Sequence, residues 1–457
     1  MELQPDASYT VSVNRKKKFT SRADLEKFTH EELINRILQI QAHNNQLINL
    51  LKKEQFQAAA EAASSSKVDG KPKDQRKFHF KTSYKRHILL KFYYLGWDYQ
   101  GFTTQEHTSN TIEHHLFKSL VKVCLIENRE SSNYHRCGRT DKGVSAFSQV
   151  ISLDIRSKFP PEIQMTEESL ANEINYCEAL NRVLPSNIKC IAWAPSQNAS
   201  FSARFDCKLR SYRYFFPRGG MDIDAIKEGC KHLEGIHDFR NLCKMDVANG
   251  VVNFMREIKS AKIHLASQSL IDPSYDMLYL ELVGSAYLWH QVRCIMAILM
   301  LVGQKLEDPN VIVELLDVER TPCTPQYSLA SDVALNLYQV EYKEASDYEQ
   351  DEEFELVNWI YEELNLRRVI NTLQGQWTIS SVQSTMMHEM LKDIQNIYEG
   401  KVKAPKLSNQ INILLEGVRS KQYQPLMTRT RCESLENRIA HFAKKRRIEI
   451  SKNDEEQ

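Results

Sequence analysis

Residues 137–155 read CGRTDKGVSAFSQVISLDI, and the two parts of this stretch follow different rules. Towards its end, Ile151, Leu153 and Ile155 alternate with polar positions, the period of a strand that buries one face. Ahead of that strand a single acid, Asp141, stands between Gly138 and Gly143, with Arg139 and Lys142 close by. Two glycines let a backbone turn sharply, and two cations favour an ionised carboxylate. The pattern fits a reactive carboxylate on a loop, and it equally fits a polar turn closed by Asp and Gly. GRTDKG also matches the outer frame of a phosphate-cradling GxxxxG loop, but Val144 and Ser145 stand where the lysine and its Ser/Thr partner must follow. That nucleotide-binding reading is excluded.

Outward from the loop, the hydrophobic period switches between strand and helix. Upstream, ILLKFYYLG at 88–96 predicts a strand ended by Gly96, and Thr111 to Ile126 a helix. Downstream come a helix over Thr166 to Val183, stopping before Pro185, and the strands IKCIAWAP at 188–195 and LRSYRYFFP at 209–217. A second set follows. It holds a helix capped by Asp222, a loop HDFRNLCKMD, strands over 256–266 and 276–284, a helix LWHQVRCIMAILMLVG ending at Gly303, a short helix at 311–316 and a last strand over 332–342. The expected fold class is α+β, with two related halves, 85–218 and 219–345, sharing one sheet.

The flanks differ in character. Residues 1–20 are a polar tail with a basic end, too poor in apolar groups to fold alone. Thr29 and Glu32 form a capping box, and Leu33, Ile37, Ile40, Leu47 and Leu51 keep a four-three spacing. The span 21–56 is thus either a short coiled coil or one amphipathic helix. The segment 57–84 interleaves Phe78, Phe80 and Tyr84 with lysines and arginines, as a solvated linker or as a surface for stacked bases. Beyond the acidic run 344–355, the extension 346–457 predicts helices over Phe354 to Leu373 and Ser380 to Tyr398, then a basic end with KKRR at 444–447. That cluster suits nuclear import or phosphate.

With 457 residues the chain exceeds what one core organises. Its 60 basic and 59 acidic residues nearly cancel, yet base gathers at the two ends. Ten cysteines include no CxxC pair and the histidines no metal spacing, so neither a metal nor any other cofactor is expected. No run of about 18 uncharged apolar residues exists, and no signal peptide is legible, so a membrane is not an expected partner. A soluble, reduced protein of the nucleus or cytoplasm is expected.

CGRTDKGVSA with the strand after it resembles the catalytic signature of TruA-type tRNA pseudouridine synthases. AFSQVISLDIR and HDFRNLC look most like the eukaryotic branch that modifies positions 38 and 39 of the anticodon arm. The resemblance covers about residues 85–343. It implies the pseudouridine synthase fold, with a central mixed, largely antiparallel sheet, and it implies tRNA as partner, a homodimer and no cofactor. Residue by residue, it implies Asp141 as the catalytic acid, Arg139 as the arginine that helps extrude the target nucleotide, and Tyr212 as the tyrosine stacked on the base. It further implies Arg293 as the cation paired with the acid, and Leu335 or Leu337 as an apolar floor.

On chemistry alone, a buried arginine in the apolar helix at 288–303 needs an anion, and Asp141, Asp206 and Asp238 are all available. Tyr212 and Tyr214 alternate with Phe216, as core aromatics also do. Lys85, Arg86, Lys142, Lys208, Arg210 and Arg213 are the expected phosphate contacts. The competing functional readings are a catalytically silent tRNA-binding protein or chaperone and a sister synthase acting at other tRNA positions.

Overall fold

A computed structural model describes residues 80–446, apart from 197, 199, 248–250, 270–271, 343–356, 403–409 and 418–421. The expected tail 1–20, the helix 21–56, the linker up to residue 79 and the acidic run 344–355 lie outside the described residues.

Among the described residues, nine strands form one sheet. In chain order they are β1 (Tyr84–Tyr94), β2 (His135–Arg136), β3 (Ser145–Ser157), β4 (Ile188–Pro195), β5 (Leu209–Pro217), β6 (Gly235–Asp238), β7 (Met255–Ser267), β8 (Met277–Gly284) and β9 (Leu335–Glu341). Across the sheet the order is β4-β1-β3-β9-β5-β8-β7-β6, with β2 paired to β3. Every junction is antiparallel except β3 with β9, which run parallel through Ser145–Asn336 and Ala146–Leu337. The sheet is therefore mixed and largely antiparallel, the pseudouridine synthase arrangement expected above, and its two halves meet at that short parallel seam. β5 hydrogen-bonds to β8 and β9, so it sits with the second half of the sheet, whereas order along the chain had assigned it to the first, ending at 218.

The strands differ in burial as their sequences differ. In β1 the run Ile88–Leu90 with Phe92–Tyr94 is buried on both faces, which a strand covered on both sides requires. In β8 Leu278, Leu280 and Leu282 alternate with less buried neighbours.

The helices are α1 (Ile112–Lys122), α2 (Glu167–Ala171), α3 (Tyr176–Asn181), α4 (Ile223–Lys231), α5 (Gln291–Gly303), α6 (Val311–Leu316), α7 (Glu363–Val402) and α8 (Leu435–Arg446). All of α5 is buried, as a helix apolar on every side must be. One helix expected over 166–183 is two, because Glu173 between them turns inward to bond Ser157 Oγ and Lys158 N and to pair with Arg86. Two helices expected near the C-terminal end are one, α7, which runs through Gly375. A single helical glycine costs only about 1 kcal/mol and does not stop a 40-residue helix. The loop expected at 237–246 begins as the end of β6.

Candidate active site

The loop before β3 is tied down by buried groups that come mostly from β1 and β3. The Tyr94 hydroxyl lies 2.7 Å from Thr140 Oγ1, and the Gln149 amide donates to Tyr94 Oη and to the Gly138 carbonyl. The Cys137 thiol donates to Gln149 Oε1, and burial pushes that thiol's pKa up to about 12, so it stays a neutral donor. Phe102 N donates to the Thr140 carbonyl and Gly143 N to that of Tyr99. Gly143 has φ +76, a conformation that favours glycine, and a Cβ there would stand 2.7 Å from the Asp332 carboxyl carbon, so that side chain would have to move as well. Gly138 meets neither condition, having open space around its missing Cβ and no left-handed φ. Only one of the two expected hinges is a hinge.

Asp141 emerges from this loop with 32% of its side chain exposed. Trp289 donates its indole Nε1–H to Oδ1 at 3.2 Å, and His290 Nε2 lies 3.3 Å from Oδ2. His290 immediately precedes α5 with φ 59, a left-handed conformation that histidine tolerates better than most residues. Burial, then Arg293 and Lys244, lower the His290 pKa to about 4, so the ring is neutral near pH 7. Burial likewise raises the Asp141 pKa above the ordinary carboxylate value; Arg293 and the Trp289 indole oppose this, and Asp332 adds to it.

This corrects the expectation from the loop's own composition. The cation that favours the charged form of Asp141 is Arg293, supplied from α5, and not the neighbouring Arg139 and Lys142; desolvation outweighs it. Arg293 acts at Coulomb range, because its guanidinium is bonded elsewhere: Nε donates to the Ala330 carbonyl at 2.7 Å, and an NH2 group pairs with Glu416. Of the other acids that sequence left open, Asp206 accepts from Ser202 N and Asp238 pairs with Arg240.

Tyr212 stands in β5 opposite Leu337 of β9, and Tyr214 opposite Leu335, so each pair shares a face of the sheet. Ala146 of β3 flanks Leu337 across the seam. Tyr212 is 9% exposed with its ring edge-on to Tyr287 at 5.0 Å, and Leu337 is fully buried. Burial first, then nearby groups including Cys137 and Asp141, keep the Tyr212 phenol protonated.

The expected phosphate cations divide. Lys85, Lys142 and Lys208 are exposed, and so is Arg139. Partial burial of the Arg139 guanidinium, then Arg136 and Arg204, lower its pKa, which marks a local cluster of arginines beside the loop.

Three others belong to the fold and not to a surface. Arg86 is 2% exposed, pairs with buried Glu173 and donates to the Gln164 carbonyl. Arg210 donates to the backbone carbonyls of Cys137, Arg204 and Ser285, bracing the Asp141 loop from behind. Arg213 lies on the opposite face of β5 from Tyr212, pairs with Glu281 and stacks 3.5 Å from the Tyr338 ring centre. A sequence reading counts charges near an active strand, but burial and partner decide which of them reach solvent.

Trp289, His290, Asp332, Arg204 and Glu416 were not singled out from sequence. Trp289 and His290 had a signal, two side chains with polar tips placed three and four residues before Arg293 at the mouth of an apolar helix. Asp332 and Glu416 had none, since each arrives by tertiary packing.

A family model described as tRNA pseudouridine synthase matches residues 230–343. The tRNA pseudouridine(38/39) synthases of Bos taurus and Homo sapiens are each 43% identical to this chain, over 93% of it and 90% of the relative. The protein of that name from Saccharomyces cerevisiae is 37% identical over 69% of this chain and 71% of its own. With an acid on a braced loop, a basic helix-borne partner and a tyrosine-walled floor in one place, and relatives this similar over nearly the whole length, the chain belongs to the tRNA pseudouridine synthases, isomerases that convert uridine in tRNA to pseudouridine.

Proposed function

We propose that the chain acts on uridines 38 and 39 in the anticodon arm of tRNA, with Asp141 as the reacting carboxylate. The site supports this reading best through one observation: Trp289 and His290, just ahead of α5, set polar atoms against a single acid carried by the other half of the sheet, and Arg293 in the first turn of α5 acts on that acid at Coulomb range. The position assignment is supported by the names of the relatives.

The reaction breaks the bond between ribose C1′ and uracil N1, turns the base, and rejoins it through C5. The C5 hydrogen leaves and N1 gains a proton, so nothing is oxidised. A carboxylate is needed to attack C1′ or to take a proton from C2′, and it must be released at the end. Among the described residues no lysine or arginine pairs directly with Asp141, which suits a group that forms and gives up a bond.

A stacked uridine has to be flipped out first, at a cost of a few kcal/mol, roughly. Arg139, at the lip of the site, supports extrusion. Tyr212 offers its ring to the base, with Leu335 and Leu337 as the apolar floor beneath. Lys85, Lys142 and Lys208 contact phosphate, joined by Arg204 and by Phe205, which is 73% exposed.

The enzyme works as a homodimer. Ile379, Met386, Met387, Met390, Ile394 and Ile397 of α7 are each more than half exposed and fall on one side of the helix, and an apolar stripe of that length is unusual on a monomer.

The test maps pseudouridine in tRNA transcripts incubated with the wild type and with Asp141→Ala. Product at 38 and 39 with the wild type and none with the variant, at retained tRNA affinity, is expected. Product at other positions would overturn the assignment of positions, and turnover by the variant would overturn that of Asp141.

A further inference from the structure

The C-terminal extension reaches the active site. Its segment 410–417 lies along residues 329–331, with Ser331 N donating to the Leu414 carbonyl at 2.7 Å, Glu416 N to that of Leu329 at 2.8 Å, and Ala330 bridged to Leu415. Ile411 anchors the segment in the core, against Gly219. The same short stretch at 329–331 supplies the Ala330 carbonyl that receives Arg293 Nε. Glu416 therefore arrives on a backbone already fixed to Arg293's own acceptor, and its carboxylate closes on the guanidinium. The arginine side chain is 5% exposed in this pair and the glutamate 46%, so Glu416 is the member that faces solvent.

We propose that Glu416 is a positioning residue of this active site: by holding Arg293 and partly neutralising it, the C-terminal extension sets how strongly that guanidinium acts on Asp141. The inference rests on Asp141 being the reacting carboxylate. It follows from where each charge stands. Arg293 is the cation that favours ionised Asp141, and a carboxylate bound to that cation weakens its reach. Trp289 and His290 at the start of α5, Asp332 ahead of β9 and Tyr212 of β5 also bear on Asp141. Tyr214, beside the pair, responds to Arg293 and Glu416 in opposite senses. His290 is neutral, so among these groups Glu416 is the one anion in contact with the cation that controls the acid.

The experiment follows single-turnover pseudouridine formation against pH for the full chain, comparing wild type with Glu416→Gln, each curve scaled to its own plateau. Glutamine keeps the shape and an acceptor oxygen but removes the charge, leaving Arg293 to act fully on Asp141. The acid limb should move to lower pH, and the shift should vanish when Glu416→Gln is placed in an Arg293→Ala background. Superposed limbs would overturn the proposal. So would a Glu416→Gln protein that melts early and loses rate by one factor at every pH, or that fails to fold, because the pair then serves the fold alone. Asp141→Asn run alongside separates the two readings: activity surviving in it sinks the role of Asp141 itself, whatever Glu416 does.

Discussion

Gly96→Ala adds one methyl group at a distance from the chemistry and tests whether the loop's placement is what the fold supplies. A Cβ at Gly96 would stand 1.9 Å from the Val144 carbonyl oxygen and 2.5 Å from its carbon. Both are backbone atoms with no rotamer to escape into, so the loop must give way by about an ångström. Val144 N donates to the Asp141 carbonyl, and Gly96 N donates to Ser145 Oγ, so the displacement passes directly into the turn that carries the acid. An ångström of misplacement at a reacting group costs roughly 100-fold in rate, or about 2.7 kcal/mol of barrier. The assay is single-turnover pseudouridine formation at saturating enzyme, with tRNA affinity and thermal melting measured on the same preparation. Gly138→Ala is the matched control, since a Cβ there has nothing within 4 Å, and its rate should stay within about twofold of wild type. A Gly96→Ala enzyme within about threefold of wild type would refute the argument that loop position limits the rate.

Arg293→Ala removes the cation that favours ionised Asp141, and since the carboxylate must be charged to react, the acid limb of the pH–rate profile should move to higher pH. An unmoved limb would uncouple the two residues. Tyr212→Phe should keep the fold and slow the chemical step while retaining affinity, because the ring persists and only the hydroxyl is lost; a wild-type rate would make that hydroxyl idle. Arg204→Ala should weaken tRNA binding and lower the slope of log affinity against log salt by about one, whereas Arg213→Ala should leave that slope alone and cost about 1 kcal/mol of stability through its lost ring contacts. The reverse pattern in a salt titration would mean that Arg213, and not Arg204, lies against the tRNA.

Much of the fold was legible because local rules governed it. The alternation in LRSYRYFFP gave β5 and its face, the Asp222 cap gave the start of α4, and Val311–Leu316 formed as a helix where expected. Local rules failed where a distant partner intervened. Glu173 split a predicted helix by turning to Ser157 and Arg86. The gap read between two C-terminal helices is instead spanned by α7, whose Gly375 does not turn left-handed. At the candidate site, the loop that carries Asp141 and the strand that carries Tyr212 were readable from the motif and the alternation. The acid's electrostatics were not, because adjacency along the loop suggested Arg139 and Lys142 while folding delivered Arg293.

The position of the site on the sheet explains why these parts come from opposite ends of the sequence. β3 and β9 touch in parallel over two residue pairs only, and β3 begins where the Asp141 loop ends. The segment leading into β9 carries Asp332 against Gly143, Asn336 accepts from Phe147 N across the seam, and α5 brings Trp289, His290 and Arg293. The acid thus belongs to one half of the sheet and everything that tunes it to the other. An antiparallel hairpin would have joined the two strands through a local turn, whereas a parallel contact needs a long crossover, here the whole second half of the body. That crossover is what brings an apolar helix with one arginine at its mouth to a carboxylate some 150 residues earlier, roughly, and it makes the short seam the point on which the geometry of the reacting groups turns.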